Sequence, residues 1–178
     1  MQSRLQQPMD PERCDECGFD GSRFDGPALV TELRELGPRW RTLIESAGPD
    51  LRVRPAPDVW SALEYAAHSR DITALHAFGV EQALTEDEPH YPAIEADLVE
   101  KAAASYADEQ PAAVVGALDK QATRLASLAS ESTAWTRGLT IGDERTDVRR
   151  LLEHALHDST HHLRDVERGL ARIRAAGS

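Results

Sequence analysis

The chain has 178 residues, of which 40% are hydrophobic, and carries 20 basic against 31 acidic side chains for a net charge of −11. This length and hydrophobic content suit one domain with its own core, and the acidic balance argues against a nucleic-acid partner, because phosphate binding needs a basic surface. No apolar run is long enough to cross a membrane and the N-terminus has no apolar signal-peptide centre, so we expect a cytoplasmic protein without a membrane partner.

The first 26 residues are polar and rich in glycine, and they carry the chain's two cysteines, Cys14 and Cys17, in a C-x-x-C spacing. Without an export signal, this spacing indicates a metal knuckle or a redox pair before a structural disulfide. The flanking sequences "PER" and "GFDG" are turn-like, which favours a metal over a thioredoxin-type motif. We expect residues 1–26 to form an irregular N-terminal arm that carries the CxxC knuckle, ahead of a helical domain over 27–178.

From Pro27 onward, apolar residues recur at the helical period. The pattern predicts four helices: 27–48, kinked or interrupted at Gly37-Pro38; 59–84, capped by Asp58; 108–130; and Thr146 to about Ala175. The proline-broken stretch 85–97 and the turn-rich stretch 131–145 are predicted as connections, with no convincing strand. Four amphipathic helices without strands predict an all-α fold, a four-helix bundle.

The last predicted helix packs four histidines into nine residues. When its apolar positions define the direction of the core, His162 and Asp158 lie at the edge of the buried face. His157 and His161 point away from the core, and His154 lies between the two groups. Each pair has i,i+4 spacing, which places two side chains side by side and suits two ligands of one metal.

The second predicted helix offers a complement, because His68 is its one histidine near the buried stripe, with Glu64 and Asp71 about one turn away on either side. A metal bound by His68, Asp158 and His162 would lie between facing helices of a bundle. Three protein ligands leave a position for water or substrate, as in catalytic zinc sites. The alternatives are a hydrogen-bonded buried histidine, an aspartate paired with an arginine, and a polar, pH-responsive helix face.

The segments "WSALEYAAHSRDI" and "HDSTHHLRDV" resemble those of the DinB-like superfamily, over about residues 27–175. These proteins are four-helix bundles with a metal between the second and last long helices, and they include mycothiol-dependent maleylpyruvate isomerases and bacillithiol transferases. The resemblance implies a ligand at His68 and an i,i+4 pair that the following Asp165 places at Asp158 and His162. Isomerase-like members have a carboxylate first in this pair, usually the longer glutamate. A register shift of one residue would select the outward-facing histidines instead.

The resemblance implies a metal-dependent transferase or isomerase that acts on a small molecule and uses a low-molecular-weight thiol such as mycothiol as the nucleophile. The metal would be zinc, with nickel or iron as alternatives. Glu64 and Asp71 would orient the ligands, and Arg70 would contact an anion. The alternative is a non-catalytic, metal-stabilised bundle that acts as a binding or oligomerisation module. We expect a homodimer.

The outward-facing histidines need a separate explanation. C-x-x-C and H-x-x-x-H together supply the four ligands of a structural Cys2His2 zinc site. Our hypothesis is that the arm folds over the last helix through zinc held by Cys14, Cys17, His157 and His161, with His154 as a substitute ligand. The alternative is a disordered arm whose cysteines have no role.

Overall fold

A computed structural model describes residues 9–177, apart from the side chain of Ala96. Two short strands, β1 and β2, form an antiparallel hairpin in the arm, and five helices follow within the described residues. The arm strands are Arg13–Cys14 and Phe19–Asp20; the helices are α1 (Gly26–Ala47), α2 (Ala62–Thr85), α3 (Ala96–Tyr106), α4 (Pro111–Ser130) and α5 (Val148–Ala176). None of the helices in this part of the chain is both long and apolar enough to cross a membrane.

Helices α1, α2, α4 and α5 form the predicted four-helix bundle. Both α4 and α5 pack along α1 and α2, so that α1 and α2 lie diagonally opposite and α2 lies beside α5. At the centre of the core, the indole Nε1 of the fully buried Trp40 donates to Ser159 Oγ at 2.7 Å. Because α2 and α5 are neighbours, His68 of α2 and His162 of α5 meet at one face, with their ring centroids 5.1 Å apart.

Of the two alternatives predicted for the first helix, a kink or an interruption at Gly37-Pro38, the interruption is wrong, because α1 runs continuously through both residues. A proline inside a helix costs about 3 kcal/mol in isolation, so tertiary packing has to outweigh that cost here. Gly37 allows this packing, since a Cβ at this position would lie only 2.8 Å from the Cα of Asp119 on α4. The glycine therefore permits a close approach of the two helices.

The predicted cap of the second helix is also wrong, because α2 begins at Ala62 and Ser61, rather than Asp58, is its N-cap. Ser61 and Glu64 form a capping box, in which the serine hydroxyl accepts from the Glu64 N–H and the Ser61 N–H donates to Glu64 Oε2 at 2.8 Å. Glu64 is buried and also pairs with Arg54, whose Nε lies 3.0 Å from Oε2.

The two predicted connections contain structure that was not predicted from the sequence. Helix α3 begins at the end of the first connection and fills the residues between it and the third predicted helix. Strand β3 pairs parallel with β4, which pairs antiparallel with β5; the strands are His90–Tyr91, Gly138–Ile141 and Glu144–Asp147. The expectation of no convincing strand was therefore wrong. Strand β3 pairs with a strand far along the chain, which leaves little local signal. Strands β4 and β5, in contrast, form a hairpin around the two-residue turn Gly142-Asp143, a local signature that the prediction overlooked.

The arm lies against the bundle, and its Cys17 and Phe19 are buried in the same core cluster as Leu152 of α5. The backbone N–H of Glu12 donates to the buried carboxylate of Glu153 on α5 at 2.9 Å. The arm thus shares the core of the helical part, and the domain boundary at 26/27 stays a prediction.

Candidate metal centres

His68 of α2 and the pair Asp158/His162 of α5 meet at the α2–α5 face, and we call these three residues the inner cluster. One donor atom from each lies within 4.8 Å of the others. His68 Nε2 is 3.9 Å from Asp158 Oδ1, and His162 Nε2 is 3.5 Å from the same oxygen. The structure therefore brings together the three residues that the sequence analysis grouped at this face.

Asp165 fixes the orientation of one of these rings. Its Oδ2 lies 3.1 Å from His162 Nδ1, so this ring N–H donates to Asp165 and Nε2 faces Asp158. Tyr65 packs on the His162 ring with centroids 5.0 Å apart, and Trp60 packs on His68 at 5.2 Å. A carboxylate on the far nitrogen of a histidine sets the tautomer that presents the near nitrogen to a metal. From the sequence alone, Asp165 served only to place the ligand pair at Asp158 and His162.

The charges of the inner cluster suit a cation. Burial lowers the pKa of His68, which favours a neutral ring with a free lone pair. Burial also opposes ionisation of Asp158, but His162 and His68 outweigh it and hold the pKa of this carboxyl below its usual value. For His162, burial again acts against the charged form, while Asp158 and Asp165 raise its pKa overall.

One oxygen of the inner cluster lacks a partner. Asp158 Oδ2 is buried and has no hydrogen bond among the described residues. Buried polar atoms are normally satisfied, so an orphaned carboxylate oxygen beside two imidazoles fits a cation ligand. Two nitrogens and one carboxylate oxygen form a donor set that zinc, nickel or iron accepts.

The charged residues around His68 on α2 make contacts of their own. Asp71 accepts hydrogen bonds from Arg70 Nε and from the Tyr106 hydroxyl, both at 2.8 Å. The Arg70 guanidinium also pairs with both carboxylate oxygens of Glu109. Within the described residues, the hydrogen bonds of Glu64, Asp71 and Arg70 hold α2 to its N-cap and to the end of α3, and none reaches the inner cluster.

On the other side of α5, one donor atom from each of four residues lies within 4.8 Å of the others, and we call Cys14, Cys17, His157 and His161 the outer cluster. Cys14 Sγ is 3.8 Å from His161 Nδ1, and both thiols are free. The backbone N–H of Cys17 lowers the pKa of the Cys14 thiol to about 6, with help from both histidines, whereas burial raises the pKa of Cys17.

Glu12 is a buried residue of the arm that the sequence analysis missed. Its Oε1 lies 2.6 Å from His157 Nδ1 and 2.8 Å from His154 Nδ1, so both ring N–H groups donate to it. His157 Nε2 is buried and has no hydrogen-bond partner among the described residues. His154, which the hypothesis named as a substitute ligand, lies on Glu12, and about half of its side chain is exposed.

The two clusters are back to back on α5. His161 and His162 are consecutive residues, and their ring centroids are 5.9 Å apart at a near-perpendicular angle. Asp165 Oδ2, which accepts from His162, also lies 3.8 Å from His161 Nε2. A single carboxylate therefore stands between the clusters.

Comparisons with known proteins follow the same division of the chain. The sequence profile of the DinB superfamily matches residues 32–166, which include the inner cluster and leave the arm outside. No curated protein sequence matches the chain. Among solved structures, YfiT from Bacillus subtilis, described as a probable metal-dependent hydrolase with an unusual four-helix bundle topology, is similar with a TM-score of 0.72 over 83% of this chain and 87% of that chain. The identity is 17%, so this likeness concerns the fold.

Proposed function

The chain belongs to the DinB superfamily, and from this premise we propose that His68, Asp158 and His162 hold one divalent metal ion that serves catalysis on a small molecule. The observation that carries the proposal is the convergence of three donor atoms within 4.8 Å around a buried, unpaired carboxylate oxygen. Zinc is the expected metal, with nickel or iron as alternatives.

The chain's own residues prepare this site before any ligand arrives. Asp165 holds the ring of His162 so that Nε2 faces the cluster, and burial lowers the pKa of His68, which favours its neutral form. Since the protein supplies three donors, a coordination position remains for an external ligand. A metal bound there would act as a Lewis acid that lowers the pKa of a nucleophile and stabilises its anion.

The nucleophile of the proposed reaction is a low-molecular-weight thiol, in a transferase or isomerase reaction. Both cysteines of the chain belong to the outer cluster, so a thiol at the inner cluster has to come from outside the protein. Hydrolysis is the second candidate, and it is favoured by the likeness to YfiT, a probable metal-dependent hydrolase. A homodimer and a cytoplasmic location stay predictions.

Cobalt substitution tests the thiol proposal directly. Protein loaded with Co(II) is titrated with a low-molecular-weight thiol, and the difference absorption spectrum is recorded in the sulfur-to-cobalt charge-transfer region. We expect a band that grows and saturates with added thiol in the wild type and is absent in His68→Ala. The exposed His90→Ala variant is the matched control, and it should behave as the wild type does.

Three other outcomes contradict the thiol proposal, each in a different way. No thiol-dependent band, together with metal-dependent cleavage in a panel of ester and amide substrates, would establish the hydrolase instead. A metal at the inner cluster without an exchangeable water would favour the non-catalytic, metal-stabilised bundle. If the wild type and His68→Ala bound the same amount of cobalt, the inner site itself would be overturned.

A further inference from the structure

We propose that the outer cluster is a second metal site, a structural zinc held by Cys14, Cys17, His157 and His161 that fastens the N-terminal arm to α5. This site does not depend on the proposed function of the inner cluster. It uses residues of the arm that lie outside the part of the chain matched by the superfamily profile.

The arm hairpin presents both cysteines to one point. The N–H of Gly18 donates to the carbonyl oxygen of Cys14 at 2.8 Å, which closes the turn between β1 and β2. Gly18 has a φ of +70°, in the left-handed region that glycine adopts without strain, so the chain can reverse directly after Cys17. A guanidinium N–H of Arg164 on α5 donates to the Cys17 carbonyl, which ties the turn to the helix next to both histidines.

The strongest sign of a missing ligand is His157. Its Nδ1 is fixed on Glu12 at 2.6 Å, while its Nε2 is buried without a hydrogen-bond partner among the described residues. Leaving a buried nitrogen unsatisfied is unfavourable, and a metal at Nε2 would remove that penalty. Glu12, His157 and a zinc ion would then form the carboxylate–histidine–zinc arrangement that commonly orients such ligands. Phe19 stacks on the same ring at 5.0 Å and holds its plane.

The donor set identifies the metal and the role. Two sulfurs and two imidazole nitrogens are the ligands of tetrahedral structural zinc, and four protein ligands leave no position for a substrate. The rival is a redox pair of cysteines, which needs an accessible thiol to exchange with a partner. Cys17 is only 2% exposed, and the partly exposed Cys14 has its sulfur 3.8 Å from His161 Nδ1. Both features suit ligation better than exchange.

Cobalt spectroscopy of the reduced protein without any added thiol tests this site. We expect the wild type to show a sulfur-to-cobalt charge-transfer band, together with d–d bands of tetrahedral intensity. The band should disappear in the Cys14→Ser/Cys17→Ser variant and persist in His68→Ala, which lacks only the inner site. His154→Ala is the matched control, because this histidine shares Glu12 with His157 but lies outside the cluster, and it should keep the band.

A measurement on the wild type alone keeps the test independent of whether the variants fold. Zinc should protect both thiols from alkylation, and a chelator should make them reactive. Reduced wild-type protein that shows no charge-transfer band and no zinc-dependent protection would overturn the proposal. A Cys14–Cys17 disulfide that re-forms in the presence of saturating zinc would overturn it in favour of the redox pair. Neither result bears on the inner cluster, whose band requires added thiol and His68.

Discussion

The two sides of α5 carry clusters that differ in their donor atoms, in the chain segments that supply them and in the number of protein ligands. The inner cluster takes three nitrogen and oxygen donors from two helices of the bundle, and its side chains are 13–20% exposed. The outer cluster takes four donors, two of them sulfur, and half of them come from an arm outside the superfamily match. Three donors leave room for a ligand, whereas four donors close a tetrahedral site.

Neighbouring positions in the sequence can therefore serve different sites. His161 and His162 are adjacent, yet about 100° of helical rotation sends them to opposite clusters. The two clusters nevertheless share one feature. In each, a carboxylate accepts a hydrogen bond from the ring nitrogen of one histidine that points away from the metal position. Asp165 does this for His162, and Glu12 does it for His157. Variants at these residues should show whether the two clusters bind metal independently.

The adjacent histidines should have reciprocal effects. His162→Ala should weaken the inner metal more than about 100-fold and leave the outer one intact, because loss of a ligand exceeds the 10–100-fold cost of losing a ligand's hydrogen-bond partner. His161→Ala should do the reverse. Competition with a chromophoric chelator measures both affinities. If either variant lost both metals while circular dichroism showed a native fold, the clusters would not be separate sites.

The two carboxylates should show the same reciprocity at a smaller scale. Glu12→Gln should weaken the outer metal by about 10–100-fold, and Asp165→Asn should weaken the inner metal by a similar factor. Asp165 is closer to His162 than to His161, at 3.1 Å against 3.8 Å. Asp165→Asn should therefore weaken binding of the inner metal more than binding of the outer metal. Glu167→Gln, on the exposed side of the same helix, is the control. Equal loss at both sites in Asp165→Asn would contradict this ranking.

Removal of the outer metal should loosen the arm and leave the bundle intact. Trypsin has exposed sites at Arg13 and Arg23 in the arm, and Arg39 on α1 serves as an internal reference. Cleavage of an opened segment follows the population of its open form, so chelation should speed cleavage in the arm by at least about tenfold. Peptide mapping by mass spectrometry gives both rates. Equal acceleration at Arg39 would mean that the metal stabilises the whole bundle.

Glu64→Gln should have the smallest effect on either metal. Removal of the charged half of the α2 capping box should lower the free energy of unfolding by about 1–2 kcal/mol, with unchanged metal affinity. Burial opposes ionisation of Glu64, but Arg54 and Ser61 outweigh it and lower the pKa of the carboxyl. The stabilisation is therefore complete above the ordinary pKa of 4.5 and is lost as the pH falls below it. Urea unfolding of both proteins should show curves that converge in acid.

The bundle and the grouping of the histidines were predictable because α5 is one unbroken helix of 29 residues, so that directions counted from its apolar positions hold along its length. The superfamily profile and the likeness to YfiT confirm the family and the bundle. The capping box of α2 was also visible in the sequence, since Ser61-x-x-Glu64 is its signature. The prediction chose Asp58 as the N-cap instead, because aspartate is also a common N-cap residue.

The part that was not predicted depends on contacts between distant segments. Glu12 is 145 residues from His157, and no local pattern marks a glutamate as the partner of a histidine on another element. Strand β3 pairs with β4 across a long separation in sequence. Strands β4 and β5, however, form a local hairpin, and its Gly142-Asp143 turn was a readable signal. The role of Asp165 depends on the rotamer of His162, which a helical wheel does not specify.

An anomalous difference map from a crystal of the zinc-loaded protein tests the central claim most directly, namely that α5 separates two metal sites of different chemistry. We predict two peaks per chain, one enclosed by Cys14, Cys17, His157 and His161, and one between His68, Asp158 and His162. A single peak, or one peak shared by His161 and His162, would contradict the account.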